Sequence, residues 1–339
     1  MHPIVAILWP LLIQRRKTVF HFQIQRTNKL MRLTSETLKG MWAGLPVPWN
    51  NRNQIDEEAL GENVRRICLA GAHGVYTHGT TGEFYAQSEE EWRRVASLTV
   101  QESKKLGTPS QIGCTALWTA EVIRRVDYAQ KVGADGVQIA FPFWMELTDD
   151  QAVRFLLEVT TAVPGMPIII YNTDRSKKPL TVNLLKRLME EDVPVIGCKG
   201  ARSPEDLRAL FEVSPKVKFF VGEYDLATCW KYGARGCYSS YVYACPRFML
   251  RYYRLCEQGS PEAQSICDTL KRLIAEFVMP RWQIGLYDTA LDRAVAAMTG
   301  FLSGSLLLSR APYDSPTQQD VEKCRDWCAR HLPEFVNEI

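Results

Sequence analysis

From residue 40 to about residue 244, short apolar runs alternate with longer amphipathic stretches, the pattern of repeated βα units. Eight of the short runs read as strands: 41–47, 74–77, 110–114, 136–141, 167–171, 194–199, 217–222 and 236–240. Eight βα units are the count of a closed parallel barrel, so the expected fold class is α/β, a (β/α)8 TIM barrel with a C-terminal helical extension. A doubly wound open sheet is the competing architecture. It lacks support because no GxGxxG or GxxxxGK[ST] turn marks a nucleotide site at a strand end.

The segments between strands carry helix punctuation. Ser88 with Glu91, and Thr148 with Gln151, are capping boxes, each followed by apolar positions at helical spacing. Ser203 before Pro204 is a third start signal, and Gly107 stands where a left-handed C-terminal residue is wanted. Past Pro246 the strand pattern stops, and 248–258, 263–277, 288–301 and 320–331 read as helices. The expected organisation is an N-terminal extension over 1–33, a barrel over 34–246 and a helical region packed on it over 247–339.

The lead segment stands apart in charge. Residues 1–35 hold six Lys or Arg and no acid, which leaves 35 basic against 38 acidic residues in the rest of the chain. Its apolar run, 4–13, is half the length a spanning helix requires, and its charges follow the run where a secretory signal would place them before it. The segment reads as an upstream extension or disordered tail, with organelle targeting as the alternative, and the first helix-start pattern is Thr34-Ser35-Glu36. The whole chain carries a formal charge of only +3, so neither a nucleic-acid nor a membrane partner is expected. Ten scattered cysteines without a CxxC pair, and five histidines without an HExxH motif, point to reduced thiols, a cytoplasmic location and no metal site. Cys324 and Cys328, one helical turn apart, read as two residues on one helix face.

In a barrel, chemistry comes from the C-terminal ends of strands. The second strand ends in Thr77-His78-Gly79-Thr80-Thr81-Gly82-Glu83, whose glycines and hydroxyls suit a small carboxylate, or equally a turn with solvated threonines. The fifth ends in Tyr171, able to relay a proton or simply to pack with a hydrogen-bonded tip. The sixth ends in Lys199, whose stem, continuing an apolar strand, points into the barrel mouth unless it snorkels to solvent. A neutral amine there attacks a ketone to form a Schiff base, and the protonated imine acts as an electron sink without metal or cofactor. Carboxylate grip, proton relay and nucleophile together form one set of roles for chemistry next to a 2-oxo acid.

These residues, with Gly133-Ala134-Asp135-Gly136, the stretch from Gly233 to Pro246 and the late Arg310-Ala311-Pro312, resemble the dihydrodipicolinate synthase and N-acetylneuraminate lyase family of class I aldolases over about residues 40–316. The resemblance implies Lys199 as imine-forming nucleophile, Tyr171 as acid/base, Thr80 and Thr81 as the carboxylate and proton-relay pair, Gly82 for close backbone approach, and Ser239 as part of the pyruvyl site. It also implies a homotetramer or dimer. Two departures bear on substrate. Where the synthases of this family carry Pro-Tyr-Tyr, this chain reads Pro142-Phe143-Trp144, and Arg175 comes one residue earlier than their substrate-binding arginine.

Trp144 with Met145 resembles hydratase-aldolases that cleave aromatic benzylidenepyruvates, whereas Tyr171-Asn172-Thr173-Asp174 resembles sugar-acid dehydratases. The expected activity is a cofactor-free lyase acting on pyruvate or a pyruvate-derived 2-oxo acid, with an apolar or aromatic aldehyde partner. Trp144 and Arg175 are the candidate contacts to that second moiety. The alternatives are a 2-keto-3-deoxy sugar acid dehydratase or aldolase, a 4-hydroxy-tetrahydrodipicolinate synthase, and a non-catalytic module that binds a 2-oxo acid.

Overall fold

The computed structural model describes residues 32–200 and 203–337. Eight parallel strands close in sequence order: β1 Gly40–Gly44, β2 Gly74–Thr77, β3 Ser110–Gly113, β4 Gly136–Ile139, β5 Ile168–Tyr171, β6 Val195–Lys199, β7 Lys218–Val221 and β8 Ala234–Ser239, with β8 paired back onto β1. All eight expected strands are present. The first is shorter than the apolar run, because Pro46 and Pro48 have no amide hydrogen to donate to a ladder.

The helices between and after them are α1 Glu57–Leu69, α2 Glu89–Lys105, α3 Thr119–Val132, α4 Asp149–Ala162, α5 Val182–Glu190, α6 Pro204–Val213, α7 Leu226–Trp230 and α8 Pro246–Glu257. There follow α9 Pro261–Leu273, α10 Met279–Trp282, α11 Asp288–Met298, α12 Gln318–His331 and α13 Pro333–Asn337. Both capping boxes form, at Ser88 and Thr148, and Ser203 caps α6 ahead of Pro204. Such caps contribute about 1 kcal/mol each by satisfying amides that have no partner within the helix. The Thr34 pattern starts no helix. Its hydroxyl accepts from the amides of Glu36 and Thr37, closing a single turn that leads into β1.

Strand alternation divides the core in two. Outward residues such as Val75, Ile112, Ile170 and Cys198 pack under the helices, while Trp42, Tyr76, Ile169, Phe220 and Tyr238 fill the lumen. Leu33 belongs to the lumen cluster, and its amide bonds to Asp135, so the barrel's lower end takes in a residue assigned from sequence to the leading extension. The rest of that extension, 1–31, lies outside the described residues. The lumen is packed tightly enough that a Cβ on Gly74 would come within 2.4 Å of the Trp42 ring.

Beyond β8 the chain is helical, and α11 is the element that matters most for the barrel mouth. It lies against the loop that follows β2, where the Thr289 hydroxyl donates to the Thr80 carbonyl at 3.1 Å. All ten cysteines are buried, and among the described residues no helix is long and apolar enough to cross a membrane.

Candidate active site

Tyr171 and Lys199 are direct partners in the β5–β6 register and point to the same side. A register shift between Ile168 and Ile169 precedes this pair, so the alignment of the two strand ends is set by that irregularity. The Lys199 Nζ stands 4.2 Å from the centre of the Tyr171 ring and 5.4 Å from the rings of both Tyr76 and Tyr238. Three aromatic rings therefore surround the amine. The Tyr171 hydroxyl is 3.3 Å from Thr80 Oγ, in hydrogen-bonding contact. The structure thus brings Lys199, Tyr171 and Thr80 together.

The other two tyrosines escaped the sequence analysis, although strand alternation places each two residues before a position at the mouth. Burial pushes the phenols of Tyr76 and Tyr238 well above the usual tyrosine range. They are neutral walls of the cage, and the Tyr238 hydroxyl is used in donating to Gln111 Oε1 at 2.7 Å. Behind Lys199, burial pushes the Cys198 thiol up to about 12, which leaves it without nucleophilic character at neutral pH.

A narrow chamber lined by Thr80, Thr81, Gly82, Lys199, Tyr238 and Ser240 surrounds this amine. Gly82 is required on steric grounds, since a Cβ there would meet the His78 backbone nitrogen at 2.9 Å. Ser239 is outside the chamber. Inward positions on β8 are 236 and 238, and the alternation carried one residue past the strand turns 240 inward, so Ser239 faces the helices, fully buried, and its hydroxyl accepts from the amides of Tyr241 and Val242 at 3.1 and 3.0 Å. Its neighbour Ser240 occupies the place expected for it.

Through Thr80 the chamber adjoins a larger cavity of about 250 Å³, lined by Phe84, Tyr85, Phe143, Tyr287 and Tyr313, with Arg175, Asp288 and Asp314 as charged residues on its wall. Arg175 donates to Asp288 at 2.8 Å and its guanidinium lies 5.7 Å from the Trp282 ring centre. Trp144 is absent from this wall. Its side chain is 72% exposed, and Phe143 supplies the ring that faces the cavity. The loop turns outward after Phe143 and is tied down by Lys177 Nζ donating to the Trp144 carbonyl. Lys178 is buried against Asp149 at 2.5 Å, and Asn172 clamps its loop between the Leu180 amide and the Gly200 carbonyl.

The chain beyond α10 contributes a buried network that sequence spacing did not reveal. Glu83, the last residue of the Thr-Gly loop, accepts from Trp49 Nε1 at 2.5 Å and from the Arg310 amide at 2.8 Å, and forms an ion pair with Arg293 of α11. Both members of that pair are fully buried. At the preceding position on α11, the carboxylate of Asp292 accepts from the Thr81 hydroxyl. Among the described residues no group of three or more His, Cys, Asp or Glu is placed to hold a metal ion.

Over 155 aligned residues the chain is 34% identical to a trans-o-hydroxybenzylidenepyruvate hydratase-aldolase of Pseudomonas putida, covering 44% of this chain and 46% of the relative. It is 31% identical over 173 residues to a 4-hydroxy-tetrahydrodipicolinate synthase of Thermus thermophilus, covering 51% and 56%. The chain thus spans about half the length of the curated relatives it matches. The 4-hydroxy-tetrahydrodipicolinate synthase structure from Methylacidiphilum fumariolicum superimposes with a TM-score of 0.78 at 25% identity, over 88% of this chain and 98% of that one. The family model for the dihydrodipicolinate synthetases matches residues 37–305, which stops short of the Arg310 segment. With that match over most of its length, the chain belongs to the dihydrodipicolinate synthetase family.

Proposed function

We propose that the protein is a Schiff-base-forming lyase of the aldolase type, acting on pyruvate or a pyruvate-derived 2-oxo acid with an apolar or aromatic aldehyde as partner. The observation that carries this reading is the Lys199 amine held 4.2 Å from the Tyr171 ring, with the Tyr171 hydroxyl 3.3 Å from Thr80 Oγ. Lys199 Nζ attacks the C2 carbonyl of the 2-oxo acid, and loss of water gives the protonated imine. In the cleavage direction Tyr171 accepts the proton of the C4 hydroxyl. The C3–C4 bond then breaks toward the imine, the aldehyde departs, and the remaining enamine is protonated at C3 and hydrolysed to pyruvate. In synthesis the same groups work in reverse. Thr80 holds the Tyr171 hydroxyl in line, while Thr81 and the backbone around Gly82 receive the carboxylate.

The partner aldehyde fits the cavity walled by Phe84, Tyr85, Phe143, Tyr287 and Tyr313. Arg175, already engaged with Asp288, is the polar contact at its edge. This wall favours an aromatic moiety over a polyhydroxy acid, and the engagement of Asn172 within its own loop removes one of the residues on which the sugar-acid reading leaned. Ten scattered, buried cysteines without a CxxC pair suit a reducing compartment such as the cytoplasm. Exposed Leu117, Trp118, Trp144 and Met145, on the loops after β3 and β4, suit contact with a second copy in a dimer or tetramer.

Incubation with pyruvate and cyanoborohydride, followed by peptide mass spectrometry, tests the reading. A reduced pyruvyl adduct on the Lys199 peptide is the expected result. No adduct with pyruvate or with any longer 2-oxo acid overturns the assignment in favour of a binding module.

A further inference from the structure

Asp292 is an acid at the end of the barrel where the proposed reaction needs to receive an anion. It sits on α11, and its carboxylate accepts from the Thr81 hydroxyl. The Ser240 side chain is a second polar neighbour. Thr81 and Ser240 both line the chamber around Lys199. A hydroxyl has one proton. While Asp292 is ionised, Thr81 spends that proton on it and turns only lone pairs toward the chamber, which repel a carboxylate. Once Asp292 is protonated, it can donate to Thr81 Oγ, and the Thr81 proton is released to point at the substrate.

We infer that Asp292 is a positioning residue that sets the donor direction of the Thr81 hydroxyl, so that binding of a 2-oxo acid carboxylate in the chamber is coupled to uptake of one proton by Asp292. The inference rests on the proposed Schiff-base reading for the identity of the anion, but it concerns a different residue and a different observable.

The surroundings favour such a switch near neutrality. Burial raises the Asp292 carboxyl to about 7, helped by the charge of Asp288 one turn earlier on α11 and by Glu223 at the end of β7, and opposed by the hydroxyls of Thr81 and Ser240. Tyr241 and Tyr243 also face this charge from the segment after β8, and burial keeps both phenols neutral. The next residue, Arg293, is committed to Glu83 and to the carbonyls of Val47 and Leu306, so its charge is already matched. Below about pH 7 Asp292 is neutral and Thr81 is free to donate. Above it, each substrate bound must first bring a proton, and affinity falls by about tenfold per pH unit, as linkage of one proton to one ligand requires.

The test compares the full-length protein with Asp292→Asn, whose amide donates to Thr81 at every pH as the protonated acid does. The readout is the pyruvate concentration giving half-maximal reductive trapping on the Lys199 peptide, measured from pH 5.5 to 8.5. Both proteins keep Lys199, and the comparison is made as the ratio of their half-saturation values at each pH. The expected ratio of wild-type to variant half-saturation is flat below pH 7 and rises about tenfold per unit above it. A ratio that stays constant across the range, with adduct present in both, overturns the role of Asp292 while leaving the Schiff-base reading intact. Absence of adduct in both proteins at every pH overturns that reading, and the inference with it.

Discussion

The two sides of the barrel mouth are built differently. On one side Lys199, Tyr171 and Tyr238 are strand residues, fixed by ladder register and by alternation into the lumen. On the other, Thr80 and Thr81 sit on an irregular loop that has no ladder of its own and is held from the far end of the chain by the side chains of Thr289, Asp292 and Arg293 and by the Arg310 amide. In the proposed mechanism the strand side supplies the nucleophile and acid/base pair. The loop side, which would receive the anion, is held by a helix more than 200 residues away in sequence, Thr81 and Asp292 being separated by 211 positions.

Removing the nucleophile from the strand side is expected to have the largest effect. Lys199→Ala eliminates imine trapping and turnover together, with an unchanged far-ultraviolet circular dichroism spectrum. Retained turnover would place the chemistry elsewhere. Tyr171→Phe keeps the ring against the amine but removes the hydroxyl that meets Thr80, so trapping of pyruvate persists while turnover falls by about 10²–10⁴, the usual worth of a positioned acid or base. Equal losses in trapping and turnover would show the phenol to be needed for the imine as well.

On the loop side the large effect is on stability. Arg293→Met leaves Glu83 buried without its cation, which costs about 3–5 kcal/mol, because a charge inside the protein has then lost its compensation. Urea titration followed by fluorescence reads this directly. A loss under 1 kcal/mol would mean that Trp49 and the Arg310 amide suffice to hold the Glu83 carboxylate, and that α11 is not the anchor of the loop.

The same division governs what could be read from the sequence. All eight strands were legible because a buried parallel strand is a dense apolar run, and Lys199 was legible because it ends one. Phe143 and Trp144 were harder. Past the end of β4 no periodicity says which ring turns inward, and it is Phe143 that lines the cavity while Trp144 faces solvent. Asp292 and Arg293 look like ordinary polar positions on an amphipathic helix. Nothing in local spacing signals that this helix, rather than another in the C-terminal region, comes to rest on the Thr80–Thr81 loop.

The smallest effects, and the sharpest test of the strand rule itself, come from two adjacent serines at the end of β8. Alternation assigns Ser240 to the chamber and Ser239 to the turn behind it, where its hydroxyl accepts two amides. Ser239→Ala leaves the Val242 amide without its acceptor, while the Tyr241 amide keeps Glu223 Oε1 at 3.3 Å, and is expected to cost about 1 kcal/mol of stability without changing the pyruvate concentration for half-maximal trapping. Ser240→Ala should do the opposite, altering half-saturation a fewfold with under 1 kcal/mol of destabilisation, since its hydroxyl faces the chamber and Asp292. If Ser239→Ala alone shifted half-saturation, the inward face of β8 would be displaced by one residue during turnover, and the strand side of the mouth would be less rigid than its ladder implies.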